Sequence, residues 1–278
     1  MFSSVSLDSL VSTDHQTESK PFVIGIAGGS ASGKSEFCNL IQEKLIVEFG
    51  VQKDEILTLS ASNFYRSLSK EKVKLAIEGK YNFDHPFAFD IDLLRSTIKN
   101  LISGGRSTVL YNYNFNTFQQ EKVDLLETSP SIIIIEGILT LYFEELRNIF
   151  SMKLFLDVDG DTRLSNTVIR DTVGDNKRRI KPINQVLDEW LNSVKPSFED
   201  YVLPSKKYAD VVVPRGAENI VAIDLVTQHI YDLWRTGQVG SRRKVSTANG
   251  LTEESPTSPR MEIFSFDNGE SIYKPVPE

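Results

Sequence analysis

The stretch Gly28-Gly29-Ser30-Ala31-Ser32-Gly33-Lys34-Ser35 constrains this chain more than any other. It satisfies G-x-x-x-x-G-K-[ST] in a setting that gives the pattern meaning. An apolar run, Phe22, Val23, Ile24 and Ile26, precedes it and reads as a buried strand. A helical pattern follows from Lys34 to about residue 49, with Phe37, Leu40, Ile41 and Leu45 at helical spacing. Strand, glycine-rich turn and helix in that order make a phosphate-binding loop. Glycines let the backbone bend with its N–H groups turned inward, and the helix sets its positive end beneath the anion. Lys34 is placed to neutralise the outer phosphates, and Ser35 offers a hydroxyl to magnesium. Gly28, Gly29, Ser30, Ala31, Ser32, Gly33, Lys34 and Ser35 are thus the expected phosphate site.

What surrounds that loop is bounded by bulk properties. With 278 residues, 40% of them hydrophobic, the chain can bury one sizeable core or one domain with an appendage. A net charge of -7 argues against a nucleic-acid polymer as partner and favours small anions. Cys38 is the only cysteine, so no internal disulfide can form; a buried structural thiol in a reducing compartment is the expectation. No apolar run reaches bilayer length, so no membrane partner is expected. Residues 1–20 are Ser/Thr-rich and carry three acids without an arginine, unlike a signal or transit peptide. They are expected to form a disordered arm, and the expected location is the cytoplasm, with the nucleus as a further compartment.

Along the chain, residues 55–60 read as a second strand, followed at its carboxyl end by Ala61-Ser62-Asn63-Phe64-Tyr65-Arg66, where open α/β sheets bind ligands. A polar helix over residues 69–78 precedes the loop Asn82-Phe83-Asp84-His85-Pro86, and Asp90 is placed to cap a helix over 91–102. Residues 107–115 read as a strand or hairpin arm whose tyrosines, on composition alone, are packing residues. Four isoleucines at 132–135 predict a central strand buried on both faces, with Glu136 at its carboxyl end resembling the second acid of nucleotide sites, a holder of magnesium or its water. A further strand is expected at 152–157 and a helix at 161–171, with Arg163 and Arg170 near one face. Residues 172–181 form a basic stretch whose Arg178 and Arg179 read equally as a solvated cluster and as a lid over phosphate. Helices are expected at 183–194, 198–203 and 219–234, with a strand at 210–213. From residue 238 onward the chain turns polar and aperiodic, which reads as a disordered tail, with Ile263, Phe264 and Phe266 as its apolar points.

Alternating strands and helices predict an α/β fold, a mostly parallel sheet covered by helices on both faces. The phosphate loop, 60–66, 82–86, 111–115 and Glu136 should then crowd one sheet edge.

The segments GGSASGKS, SNFYR, YNFDHPFAFD, IIIIEGIL, MKLFLDVDGDTRL and VKPSFEDYVLPSKKYADVVVPRGAEN, in this order, resemble the uridine-cytidine kinases, a branch of the phosphate-loop nucleoside kinases. The resemblance spans residues 21–237. It implies transfer of the ATP γ-phosphoryl group to the 5′-hydroxyl of a pyrimidine ribonucleoside, with magnesium, by a homo-oligomer that is commonly a tetramer. It also implies that Ser35 and Glu136 hold the metal and that Asp84 takes the ribose hydroxyls. Phe83 and Tyr113 would line the nucleoside pocket, Arg170, Arg178 or Arg179 would serve the lid, and Gln185 would lie near the substrate. Three positions depart from the family pattern. Ser62 stands where the family has a catalytic aspartate, Phe118 where it has a base-reading histidine, and Asn166-Thr167 where it has an arginine pair. Serine is no base near neutral pH without help. The departures leave open a slower kinase, a kinase of another riboside, and a nucleotide-binding paralogue that acts in regulation or hetero-oligomers.

Overall fold

The computed structural model describes residues 21–104, 107–126, 130–173 and 179–236. The terminal segments, with Ile263, Phe264 and Phe266, and Arg178 of the basic stretch lie outside the described residues.

The strand Phe22–Gly28 (β1) is buried along its whole length, which its run of Phe, Val, Ile and Ala allows. It leads through the glycine loop into the helix Lys34–Val47 (α1). The strand Ile56–Ser60 (β2) follows, then a single 3₁₀ turn Ala61–Phe64 and the helix Lys70–Ile77 (α2), capped by Ser69. Asp90 caps the helix Ile91–Ile102 (α3) by accepting from the Leu93 N–H at 3.2 Å, as its placement predicts. The strands Thr108–Asn114 (β3) and Gln119–Leu126 (β4) pair antiparallel, apart from the main sheet. The strand Ile132–Glu136 (β5), the short helix Glu144–Arg147 (α4), the strand Met152–Asp157 (β6) and the helix Gly160–Val173 (α5) continue the chain.

From Ile183 the helical run extends unbroken to Tyr208, where two separate helices were expected. It opens as α6 (Ile183–Glu189), widens into π turns at Trp190–Val194 and Phe198–Val202 around the short helix Lys195–Ser197 (α7), and ends as 3₁₀ turns. Pro196 sits between the two wide turns, and its missing N–H and bulky ring oppose regular α pitch there. The strand Val211–Pro214 (β7) and the helix Ile220–Arg235 (α8) close the described chain.

The main sheet has the order β2-β5-β1-β6-β7, and every pairing in it is parallel. Ile133 and Ile135 of β5 enter one core, with Phe64, Leu94 and Ile98; Ile132 and Ile134 enter the other, with Phe37 and Ile41 of α1 and Ile223 and Ile230 of α8. The four isoleucines therefore glue both helical layers to the sheet. Parallel pairing brings every strand's carboxyl end to the same edge.

Close packing also limits what β1 tolerates. A Cβ on Gly25 would lie 2.4 Å from the Phe150 ring, whereas one on Gly160 would meet nothing within 4 Å. Gly25→Ala is expected to lower the free energy of urea unfolding by about 1–3 kcal/mol, the cost of overpacking a core. Gly160→Ala should change it by less than ~0.5 kcal/mol.

Candidate active site

At the carboxyl edge of the sheet lies a cavity of about 1020 Å³. It is lined by Ser30 to Glu36 of the loop, by Ser60, Ser62 and Asn63, by Phe83 and Asp84, by Tyr113, Phe115 and Phe118, and by Glu136 and Arg170. The segments expected at one edge are there together, while Tyr111 packs against Phe64 instead.

The loop bends through left-handed backbone at one alanine and one glycine. Ala31 and Gly33 both take left-handed backbone, φ 59° and 75°. A Cβ on Gly29 would come within 2.5 Å of Arg163 Nη1, so that glycine admits a guanidinium behind the loop. Lys34 is buried and donates from Nζ to the Gly29 carbonyl at 2.8 Å, curling over the loop. Burial pushes its pKa down, and the charges of Glu136 and Asp84 act against that shift. Ser32 Oγ and Arg163 Nη1 are buried without a hydrogen-bond partner among the described residues. Unsatisfied donors beside bent backbone fit a polyphosphate. Ser35 Oγ donates to Glu136 Oε1 at 3.1 Å, and these two hard oxygen ligands suit a magnesium-like cation that takes its remaining ligands from phosphate and water. Among the described residues no group of three His, Cys, Asp or Glu assembles as an all-protein metal cage.

Asp84 is buried, and its N–H donates to Asn82 Oδ1 at 3.0 Å. Asn82 Nδ2 donates in turn to Ser197 Oγ at 2.9 Å, which ties this loop to the long helical run. The wall above it is aromatic. Phe83 and Phe118 stack with ring centroids 6.0 Å apart at 21°, and Tyr65 meets Tyr113 edge-on at 5.4 Å. Phe118 holds φ 56° in the β3–β4 turn, and its carbonyl accepts from the Leu68 N–H at 3.0 Å. The Tyr113 hydroxyl is buried without a partner, and burial pushes the phenol up. Ser62 lines the cavity with its Oγ 2.7 Å from Ser60 Oγ.

Arg170 lines the cavity and is gripped by Asp171 through Nε at 2.6 Å and Nη2 at 3.2 Å. Gln185 is not brought to the cavity. Its amide donates to the Ile77 carbonyl and to Glu189, and it is Glu189 that lines the wall. Arg179 is exposed, and it also donates to the Ile77 carbonyl, at 2.7 Å. At the place of the expected arginine pair, Asn166 donates to the Ala31 carbonyl at 3.2 Å, and Thr167 bonds within its own helix.

Lys181, Glu189 and Trp190 were not expected in this wall, and Arg163 was expected only to share a face with Arg170. Its spacing to Thr167 and Arg170 marks that face of α5. The Arg163 guanidinium lies 3.7 Å over the Phe198 ring and 5.5 Å from Trp190.

Comparison with known proteins fits this geometry. The phosphoribulokinase/uridine kinase family matches residues 23–222. The chain belongs to that family. It is 40% identical over 240 residues to uridine-cytidine kinase 2-B of Danio rerio, covering 86% of this chain and 90% of that protein. It is 41% identical over 230 residues to a chloroplastic uridine/cytidine kinase of Arabidopsis thaliana, covering 82% of this chain but only 45% of that longer one. A crystal structure from a Silicibacter species, described as a candidate fructose transport system kinase, shares the fold with a TM-score of 0.56 at 15% identity, over 72% of this chain and 92% of its own.

Arg163→Met keeps an aliphatic stem against Phe198 and removes the charge behind Gly29. It is expected to weaken binding of a fluorescent ATP analogue tenfold or more, from loss of a charged hydrogen bond of about 1.5–3 kcal/mol. Unchanged affinity would restrict the guanidinium to packing.

Proposed function

We propose that this chain is a uridine/cytidine kinase-like phosphotransferase, moving the γ-phosphoryl group of ATP to the 5′-hydroxyl of a pyrimidine ribonucleoside and so serving pyrimidine salvage. One observation carries the reading: a single cavity joins the phosphate loop and the Ser35–Glu136 pair to the buried Asp84 under an aromatic wall. A triphosphate over the amino end of α1 and a sugar alcohol at Asp84 would face each other within it.

In this reading Gly28 to Ser35 cradle the phosphates through backbone N–H groups, with Ser32 Oγ and Arg163 Nη1 gaining the partners they lack. Lys34 leaves the Gly29 carbonyl to meet the outer phosphates. Magnesium held by Ser35 and Glu136 supplies neutralisation of phosphate charge. Arg170, oriented by Asp171, balances charge on the transferred group. Asp84 accepts hydrogen bonds from the ribose diol, and Phe83, Tyr113 and Phe118 enclose the base. The enzyme is assigned to the cytoplasm as a homo-oligomer, since among the described residues no helix is long and apolar enough to cross a membrane and the family resemblance implies a tetramer.

A second reading has its own motive. Ser62 Oγ is engaged with Ser60 Oγ, so no carboxylate stands at that position to take the acceptor's proton. Loss of a general base costs on the order of 10²- to 10⁴-fold in rate. Phosphoryl transfer nevertheless passes through a loose transition state that positioning and electrostatics stabilise. We therefore assign a working kinase with reduced turnover, and a regulatory paralogue is the alternative.

Incubation with ATP-magnesium and a panel of ribosides is expected to yield UMP or CMP, and Lys34→Ala to lower the rate by about 10²- to 10³-fold or more. No product above the Lys34→Ala level would sink the kinase reading and leave the regulatory one. Ser62→Asp should raise kcat at least about tenfold with the nucleoside KM little changed. A kcat that stays put or falls assigns the proton to another acceptor.

A further inference from the structure

We infer that Lys181 is a positioning residue that couples the two ends of the cavity, so that ATP bound at the loop strengthens nucleoside binding at Asp84; this rests on the kinase reading above. Lys181 ends the basic stretch and enters the cavity wall between α5 and α6. Its backbone N–H donates to the Asp171 carbonyl at 2.8 Å, which fixes where the side chain starts. The ammonium is then shared by two carboxylates, Asp171 Oδ2 at 3.5 Å and Glu189 Oε2 in a short contact.

Each carboxylate has a second task. Asp171 is buried and holds Arg170, the cation at the phosphate end, in a two-point grip. Glu189 Oε1 accepts from the Gln185 amide at 2.9 Å, and that amide also reaches the Ile77 carbonyl at 3.1 Å, where α2 ends. Glu189 also packs on Gly79, where a Cβ would approach its Oε1 to 2.6 Å. Ile77 and Gly79 begin the segment that delivers Phe83 and Asp84. Among the described residues a continuous series of polar contacts thus runs from the phosphate-end arginine to the root of the nucleoside loop, and Lys181 joins its two halves.

Such a brace gives coupling by a simple route. Ordering one end orders the link, so the second ligand meets a loop already held and loses less conformational freedom. Reciprocity requires each ligand to raise the other's affinity by the same factor. Without the shared ammonium the two carboxylates repel, and each ligand orders only its own end.

Calorimetry on the full chain with uridine or cytidine, with and without a saturating non-hydrolysable ATP analogue and magnesium, tests this. Wild type is expected to bind the nucleoside at least about fivefold tighter with the analogue present, the lower end of usual coupling. In Lys181→Met that factor should fall below twofold while affinity for the analogue alone stays within threefold, and Lys181→Arg should restore it. Should Lys181→Met fail to fold by thermal melt, Glu189→Gln, which keeps an acceptor and removes the charge, should show the same loss. Coupling retained in the variant overturns the proposal, as does an equal loss of analogue affinity, which would make Lys181 a direct phosphate ligand. A wild type that binds the nucleoside uncoupled removes only this inference, whereas one that binds no riboside removes the kinase reading as well.

Discussion

The register of β1 against β5 is the constraint on which the site depends. Ile26 lies opposite Glu136, and the Gly137 N–H donates back to the Ile26 carbonyl at 3.0 Å, so the acid emerges beside the root of the phosphate loop. Ser60 on β2 lies opposite Glu136 from the other side. A one-residue slip would exchange the faces of Ile132 to Ile135 and break both cores at once. The apolar packing that holds the sheet therefore also sets Ser35 within 3.1 Å of Glu136. Fold stability and site geometry share one cause.

Against that apolar background the site concentrates buried charge. Lys34, Asp84, Glu136, Arg163 and Asp171 are all nearly shielded from water. Charges buried in isolation are costly, and here positive and negative groups alternate: Lys34 feels both Glu136 and Asp84, and Arg163 feels Asp84 most among its acidic neighbours. The orphaned Ser32 hydroxyl and Arg163 Nη1 are the polar groups that this internal balance leaves over. They flank the loop, where an anionic ligand would satisfy both and where the protein has left room through Gly28 and Gly29.

How much of this the sequence discloses follows from range. The phosphate loop, β5 and its acid, and the Asp90 cap are local patterns, in which spacing alone dictates structure. The strand β4 was not legible, because Gln119-Gln120-Glu121-Lys122 carries no apolar alternation and owes its strand state to pairing with β3. Gln185 shows a different limit. The family resemblance pointed it to the substrate, yet one helical turn further on it is Glu189 that meets the cavity, and Gln185 braces Ile77. The unbroken helical run from Ile183 to Tyr208 was hidden by Pro196, which ordinarily ends a helix and here is absorbed by two wide turns.

The departures at Ser62 and Phe118 do not look like damage once their surroundings are counted. Where the family resemblance implies an aspartate, Ser60 takes both the N–H and the hydroxyl contact of Ser62, so the position is satisfied within its own turn. Phe118 likewise completes a stack on Phe83 and lends its carbonyl to Leu68, keeping the hairpin joined to the segment after Arg66. Decay at a disused site leaves cavities and orphaned groups, because nothing selects repacking. Here both residues fit the wall they form, and among the described residues the buried side-chain atom left without a partner near them is the Tyr113 hydroxyl. On the proposed reading, a wall of one stacked pair, Phe83 on Phe118, with Tyr65 and Tyr113 set edge-on beside it would hold a flat base mainly through its faces.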